Sequence, residues 1–491
     1  MRPSGPVRRS PSAVHRRRRL AALAVVAGVA ILIVVVLSQG GGGPGTPRPF
    51  APGAGIKDPT LDPLAYDPAR VPQFEQRAAT GFSHVLYAKS PGGVVASAKR
   101  TARFRPLIDR VARSTGWSAD TLEGIVFLES AGRPDAIASN DLNSAVGLTQ
   151  ILAETGQHLL GMHVDVRASE SLSRGIARGH LVAARQATRR RVDERFDPAK
   201  AIAATARYLT FAKGKLGRDD LAIASYHMGV GNLQQALSAY GQSSIPYAEL
   251  YFDSSPLRHP TAWRKLASLG DDSSTYLWRV LAAEQIMRLY RTNPAELATI
   301  AQLQMNKASS EEVLHPAATT VRFGDPFAIG RARAAGQLVP LDRNQFASHG
   351  LRIDRGMGAT AKQIKQSPSL YRGLRPEALA TLLTLGAGTK AIAKTGTLDV
   401  TSTVRDERFQ KALATDNVEA THAYSMHTTG WAFDIARVYS SPAQAMAFQF
   451  MLDRMTALGL IAWVREPGAI HVAVSSLASE LLSNAARLPG G

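Results

Sequence analysis

The chain has 491 residues, 45% of them hydrophobic, enough for more than one core and an expectation of about three domains. It contains no cysteine, which excludes disulfides, thiolate nucleophiles and cysteine-ligated metal. The formal net charge of +19 suits an anionic partner such as lipid headgroups or phosphate-bearing polymers, unless it is only a solvated surface richer in arginine than in acid. No nucleic-acid-binding signature accompanies the charge, so nucleic acid is not an expected partner.

Residues 1–19 form a basic tail with Arg2, Arg8, Arg9 and Arg16 to Arg19, and no acidic residue precedes Asp58. Residues 20–37 are uninterrupted apolar or small residues, and as a helix they span about 27 Å, close to a bilayer's hydrocarbon thickness. The excess of arginine predicts a single-pass transmembrane helix with its N-terminus in the cytoplasm and the rest of the chain outside the cell membrane. A cleaved signal peptide is the competing reading, but Val36-Leu37-Ser38-Gln39 lacks a small-residue cleavage pattern, which favours an uncleaved anchor. Residues 38–75, rich in Gly and Pro at their start, read as a linker.

Residues 76–300 read as one domain, helical in pattern from about Val95 to Arg291, with apolar residues at spacings of three and four. One helix starts at the N-cap Ser118, with Asp120 in its first turn, and runs through Leu122, Ile125 and Val126 to Glu129. Gly132 and Pro134 stop it. A carboxyl group on the apolar face in the last turn is disfavoured as an anion by desolvation and by the helix C-terminus. It therefore holds its proton towards neutral pH, as a general acid requires. The alternative is an edge glutamate with its head in water. Ordinary glycosidases use two carboxylates, and neither Asp135 nor Asp141 falls on the helix face of Glu129.

The string Glu129-Ser130-x-x-x-Pro134-x-Ala136, then Gly147-Leu148-Thr149-Gln150, then Tyr226-His227-Met228-Gly229-Val230-Gly231, is similar to the soluble lytic transglycosylase family. The resemblance implies an all-α, lysozyme-like domain that cuts peptidoglycan glycan strands. It makes Glu129 the sole acid and base, lines the sugar groove with Ser130, Gly147, Leu148 and Gln150, and has Tyr226 support the glutamate and substrate. It also implies attack by the muramic acid C6 hydroxyl and a 1,6-anhydro product; hydrolysis by a positioned water is the alternative. His227, Met228 and Thr149 depart from the family's usual Asn, Ala and Met.

Residues 301–375 are poorly periodic and read as a connector or the start of the second domain, and 376–491 have the texture of a small α+β domain. Phe433 and Ile435 alternate with Asp434, and Ile470, Val472 and Val474 alternate with His471. Asp434 and His471 are thus expected to face one cleft, with His427 from the loop before Gly430 as a third ligand. Two imidazoles and one carboxylate form a typical catalytic zinc set, although each residue alone is more often structural. Ser425-x-His427-x-x-Gly430-x-Ala432-x-Asp434 resembles the VanY-like D-Ala-D-Ala carboxypeptidases and related endopeptidases. That resemblance implies Zn2+ on His427, Asp434 and His471, catalysis on stem peptides assisted by Arg405, and peptide contacts from Ser402, Gln410 and Ser425. The general base is expected at Glu466, with Glu419 and Asp416 as alternatives.

Together the two resemblances imply a multidomain, membrane-anchored enzyme of peptidoglycan remodelling whose basic surface also suits anionic wall polymers. A wall-binding scaffold whose C-terminal domain holds peptide without cutting it is the rival.

Overall fold

The computed structural model describes residues 64–416, 421 and 423–482. The basic tail, the apolar 20–37 segment, most of the expected linker and Glu419 lie outside the described residues. Among those described, no helix is long and apolar enough to cross a membrane.

Most of the described residues are helical, with an α+β region towards their C-terminal end. The Val71–Gly81 helix has Pro in its first turn and buries Phe74, Ala78 and Ala79. The i, i+4 spacing of Phe74 and Ala78 gives it a packing face, so the linker expected over 38–75 ends before Val71. The helix carrying Glu129 runs Ala119–Ser130, and its first turn is capped by the Ser118 hydroxyl, which accepts from the Thr121 N–H. Leu122, Ile125 and Val126 are buried as expected, but so are Thr121, Glu123, Gly124 and Phe127. This helix is therefore central and enclosed rather than amphipathic. The Tyr276–Thr292 helix packs against it, and Gly124 permits the close approach: a Cβ there would meet the Val280 carbonyl oxygen at 3.0 Å. Glu123 is 0% exposed and is paired with Arg105 at 2.9 Å and with Arg291.

The α+β region holds β1 (Val339–Pro340), β2 (Leu351–Ile353), β3 (Gly373–Leu374), β4 (Leu398–Ser402), β5 (Ala432–Ala436), β6 (Ile461–Arg465) and β7 (Ala469–Val474). Strands β1 and β3 make a small antiparallel ribbon, and the other five form one sheet in the order β2-β4-β5-β7-β6. Only the β2–β4 pair in that sheet is parallel. Phe433, Ile435, Ile470, Val472 and Val474 share a core with the helices Pro376–Ala393 and Pro442–Ala457. The 301–375 stretch is not a plain connector: β2 is a strand of the sheet and β1 and β3 pair within the same stretch, which agrees with its reading as the start of the second domain. Strands of two or three residues are too short to show a period of two in sequence.

The helical and α+β regions meet directly. Arg454, on the Pro442–Ala457 helix, donates to the carbonyls of Tyr251 (3.1 Å), Ser254 (2.8 Å) and Phe252. Arg77 pairs with Glu480 at 2.6 Å. A Cβ on Gly81 would meet the Thr456 carbonyl oxygen at 1.9 Å, so only glycine admits this contact.

Candidate active sites

Glu129 lies in the last turn of its helix, which ends in a left-handed residue, Ala131, at φ 52°. A non-glycine residue in that region costs roughly 1 kcal/mol or more. Tyr276 Oη donates to Glu129 Oε1 at 2.6 Å. Burial pushes the Glu129 carboxyl up to about 7, while the Tyr276 hydrogen bond pulls the other way. Tyr226 stacks on Tyr276, with ring centroids 6.1 Å apart and planes 15° from parallel. Its hydroxyl donates to the Thr149 carbonyl at 2.8 Å and lies 3.2 Å from Thr205 Oγ1. Tyr226 thus holds the loop, and the hydroxyl on the acid belongs to Tyr276. Nothing in the local pattern marks Tyr276 among the other residues opening its helix. His227 stacks on Tyr276 at 5.4 Å, and its Nδ1 meets Ser273 Oγ at 2.7 Å.

Residues 106–247 match the family described as Transglycosylase SLT domain. Comparison with curated proteins finds no match. The SLT match contains Glu129, the 147–150 loop and Tyr226, and supports cleavage of peptidoglycan glycan by a lytic transglycosylase. Tyr276 lies beyond the matched residues.

Two of the groove residues expected in the SLT domain point inward. Ser130 is buried and its hydroxyl donates to the Leu148 carbonyl at 2.7 Å, joining the helix end to the loop. Leu148 is 0% exposed and belongs to the core, because the loop folds back beneath the helix. Gly147 has φ +82°, and a Cβ there would meet the Arg195 carbonyl oxygen at 1.9 Å. Gln150, also left-handed at φ 52°, donates from Nε2 to the Gly147 carbonyl at 2.8 Å. Gly147, Leu148 and Gln150 build the loop, Ser130 ties the helix end to it, and of these four residues only Gln150 is less than fully buried. Asp135 accepts from Arg189 (2.6 Å) and Gln186 (3.1 Å), and Asp141 accepts from Asn143 (2.8 Å), so both nearby aspartates serve local structure.

In the α+β region Asp434 on β5 is registered directly against His471 on β7, as the alternation predicts. His427 comes from the Met426–Thr429 turn before Gly430. His427 Nε2 lies 3.1 Å and His471 Nδ1 2.8 Å from the same atom, Asp434 Oδ1. All three residues are buried and their ligand atoms lie within 4.8 Å of one another. His427 Nδ1 faces the Thr403 carbonyl at 2.8 Å, which can only accept, so this nitrogen carries the proton. Burial, with the Arg405 charge behind it, pushes His427 down to about 4, so the ring is neutral at pH 7. Its Nε2 therefore presents a lone pair to a carboxylate oxygen, an acceptor against an acceptor. A cation between them resolves that conflict, and the N, N, O donor set suits zinc.

Arg405 donates to Ser402 Oγ (2.7 Å), Gln410 Oε1 (3.0 Å) and Asp434 Oδ2 (3.2 Å). Gln410 and Ser425 are buried, and Gln410 also donates to the Thr421 carbonyl at 2.9 Å. Ser402 and Gln410 hold the guanidinium in place. Glu466 sits where β6 turns into β7; its main-chain N–H donates to the Ala469 carbonyl at 3.0 Å, and its charge is felt by Arg405. An acidic residue from outside the motifs enters this site: Glu311 Oε2 lies 2.9 Å from His471 Nε2. Its segment, Glu311–Leu314, is a single short turn with no periodicity to reveal it.

Proposed function

We propose that the chain is a membrane-anchored peptidoglycan-remodelling enzyme whose first activity is cleavage of the MurNAc–GlcNAc bond by Glu129 as the single acid and base. The observation that carries this reading is a Glu129 carboxyl raised to about 7, hydrogen-bonded by Tyr276. Protonated Glu129 gives its proton to the glycosidic oxygen as that bond breaks. The resulting carboxylate then takes the proton of the muramoyl C6 hydroxyl as that oxygen closes on C1, leaving a 1,6-anhydro end. Tyr276 steadies the carboxylate between these steps, because its hydrogen bond favours the ionised form. Tyr226 and Gln150 shape the loop on which the sugar rests. The engagement of Asp135 and Asp141 elsewhere favours this single-carboxylate route over a paired one. Digestion of purified sacculi followed by mass spectrometry tests it. Anhydro ends are expected, reducing ends would make the enzyme a lysozyme-type hydrolase, and no cleavage would remove the proposal.

The second activity we propose is on stem peptides, with zinc held by His427, Asp434 and His471. Bound zinc supplies Lewis acidity towards a peptide carbonyl. Arg405, braced by Ser402 and Gln410, would bind a substrate carboxylate or the developing oxyanion. Glu466 would take the proton of the attacking water. The same digest reads this activity as trimmed stems or opened cross-links. Intact stems with zinc loaded would make the region a peptide-binding module. The 20–37 segment is proposed as the anchor, tested by whether the full chain sediments with membranes.

A further inference from the structure

His471 contacts a carboxylate at each ring nitrogen: Asp434 Oδ1 at Nδ1 (2.8 Å) and Glu311 Oε2 at Nε2 (2.9 Å). Only the first belongs to the ligand set. Glu311 comes from 160 residues upstream, on the segment that leads from the helical region into the α+β region. It is 2% exposed. Its other oxygen, Oε1, accepts from Lys307 Nζ at 2.5 Å, and the same ammonium donates to the Tyr424 carbonyl at 2.7 Å.

The position of Glu311 is set by contacts that do not involve it. His315 Nε2 meets the Val474 carbonyl at 2.7 Å, and its ring stacks on Trp431 with centroids 4.6 Å apart. Tyr424 Oη donates to the His315 carbonyl at 3.0 Å. Asn306 donates to Glu312 at 2.7 Å. The 306–315 segment is thus pinned to β7 and to the chain flanking the Met426–Thr429 turn.

We propose that Glu311 is a positioning residue for the zinc site: it accepts the His471 Nε2–H, fixes that tautomer and turns the Nδ1 lone pair to the point that His427 and Asp434 share. This inference rests on the zinc reading above. A carboxylate behind a ligating imidazole orients the ring and raises its basicity, and its loss typically weakens metal binding by roughly 10–100-fold. The site then includes residues from the segment between the two regions, and a chain cut at 376 would lack part of it.

The test is zinc affinity of the full chain, measured by competition with a chromophoric chelator, for wild type, Glu311→Ala and Glu311→Gln. Wild type is expected to bind one zinc that is lost on changing His427 and His471 to alanine. Glu311→Ala should bind about 10–100-fold more weakly, and Glu311→Gln, which keeps an acceptor but no charge, should fall between. Glycan cleavage through Glu129 should be unchanged in both and reports that the chain is folded. If Glu311→Ala misfolds, the isosteric Glu311→Gln carries the comparison. Histidine ring 15N spectra of the zinc form should show His471 protonated at Nε2. Wild-type affinity in Glu311→Ala, or a His471 protonated at Nδ1, overturns the proposal while leaving the zinc reading intact. Absence of zinc at these residues in wild type overturns both.

Discussion

Tyr276 and Glu129, 147 residues apart, share a 2.6 Å hydrogen bond at the end of an enclosed helix. The bond opposes burial. Burial favours the protonated acid, whereas the tyrosine hydroxyl favours the carboxylate, and the balance leaves Glu129 at about 7. A group poised there both gives and takes a proton near neutral pH.

Glycan cleavage should therefore decline as pH rises through about 7, because the acid must start protonated. Glu129→Gln should abolish cleavage at every pH and leave the thermal transition in place, since the amide keeps the shape. A wild-type pH–rate profile flat from 6 to 9 on roughly unit steps would contradict the assignment.

Tyr276→Phe removes the donor that favours the carboxylate. Glu129 should rise further, and the alkaline limb of the pH profile should move upward. A hydrogen bond to a charged group contributes about 1.5–3 kcal/mol, so turnover should fall roughly tenfold to a hundredfold. Tyr226→Phe loses the bond to the Thr149 carbonyl instead and should cost less, with no movement of the limb. Equal effects of the two variants on the limb would refute this division of roles.

Gly147→Ala should lower stability by on the order of 2 kcal/mol or more, read as a fall in melting temperature. The substitution meets the Arg195 carbonyl oxygen at 1.9 Å in a left-handed backbone, and neither obstacle has a flexible side chain to yield. A melting temperature equal to wild type would show that the loop shifts freely.

Zinc affinity should rise with pH. The Asp434 and Glu311 carboxylates hold His471 protonated, raised to about 10 against burial, and a metal ion on Nδ1 must displace that proton. Each bound zinc should release a proton near neutral pH, measurable by calorimetry in buffers of different ionisation enthalpy. Binding without proton release would mean His471 is not a ligand through Nδ1.

Glu466→Gln should keep its zinc and lose stem-peptide cleavage by on the order of a hundredfold. Cleavage at the wild-type rate would transfer the base role to another carboxylate. A chelator should stop peptide cleavage and spare glycan cleavage, because Glu129 and Tyr276 need no metal.

The sequence alone determined the features that are local. The Ser118 cap, the position of Glu129 in a last turn, and the alternation that sets Asp434 and His471 on one face are all written in spacings of two, three or four residues. Tertiary structure decided what spacing does not encode. Tyr276 reaches Glu129 because two helices pack at Gly124, and Glu311 reaches His471 because a single turn is pinned over β7. It also turned Ser130 and Leu148 inward, since the loop beneath the helix needs its carbonyls satisfied and its apolar side chain buried. Contacts between residues some 150 positions apart leave no period in a single chain, so only the packed core selects them.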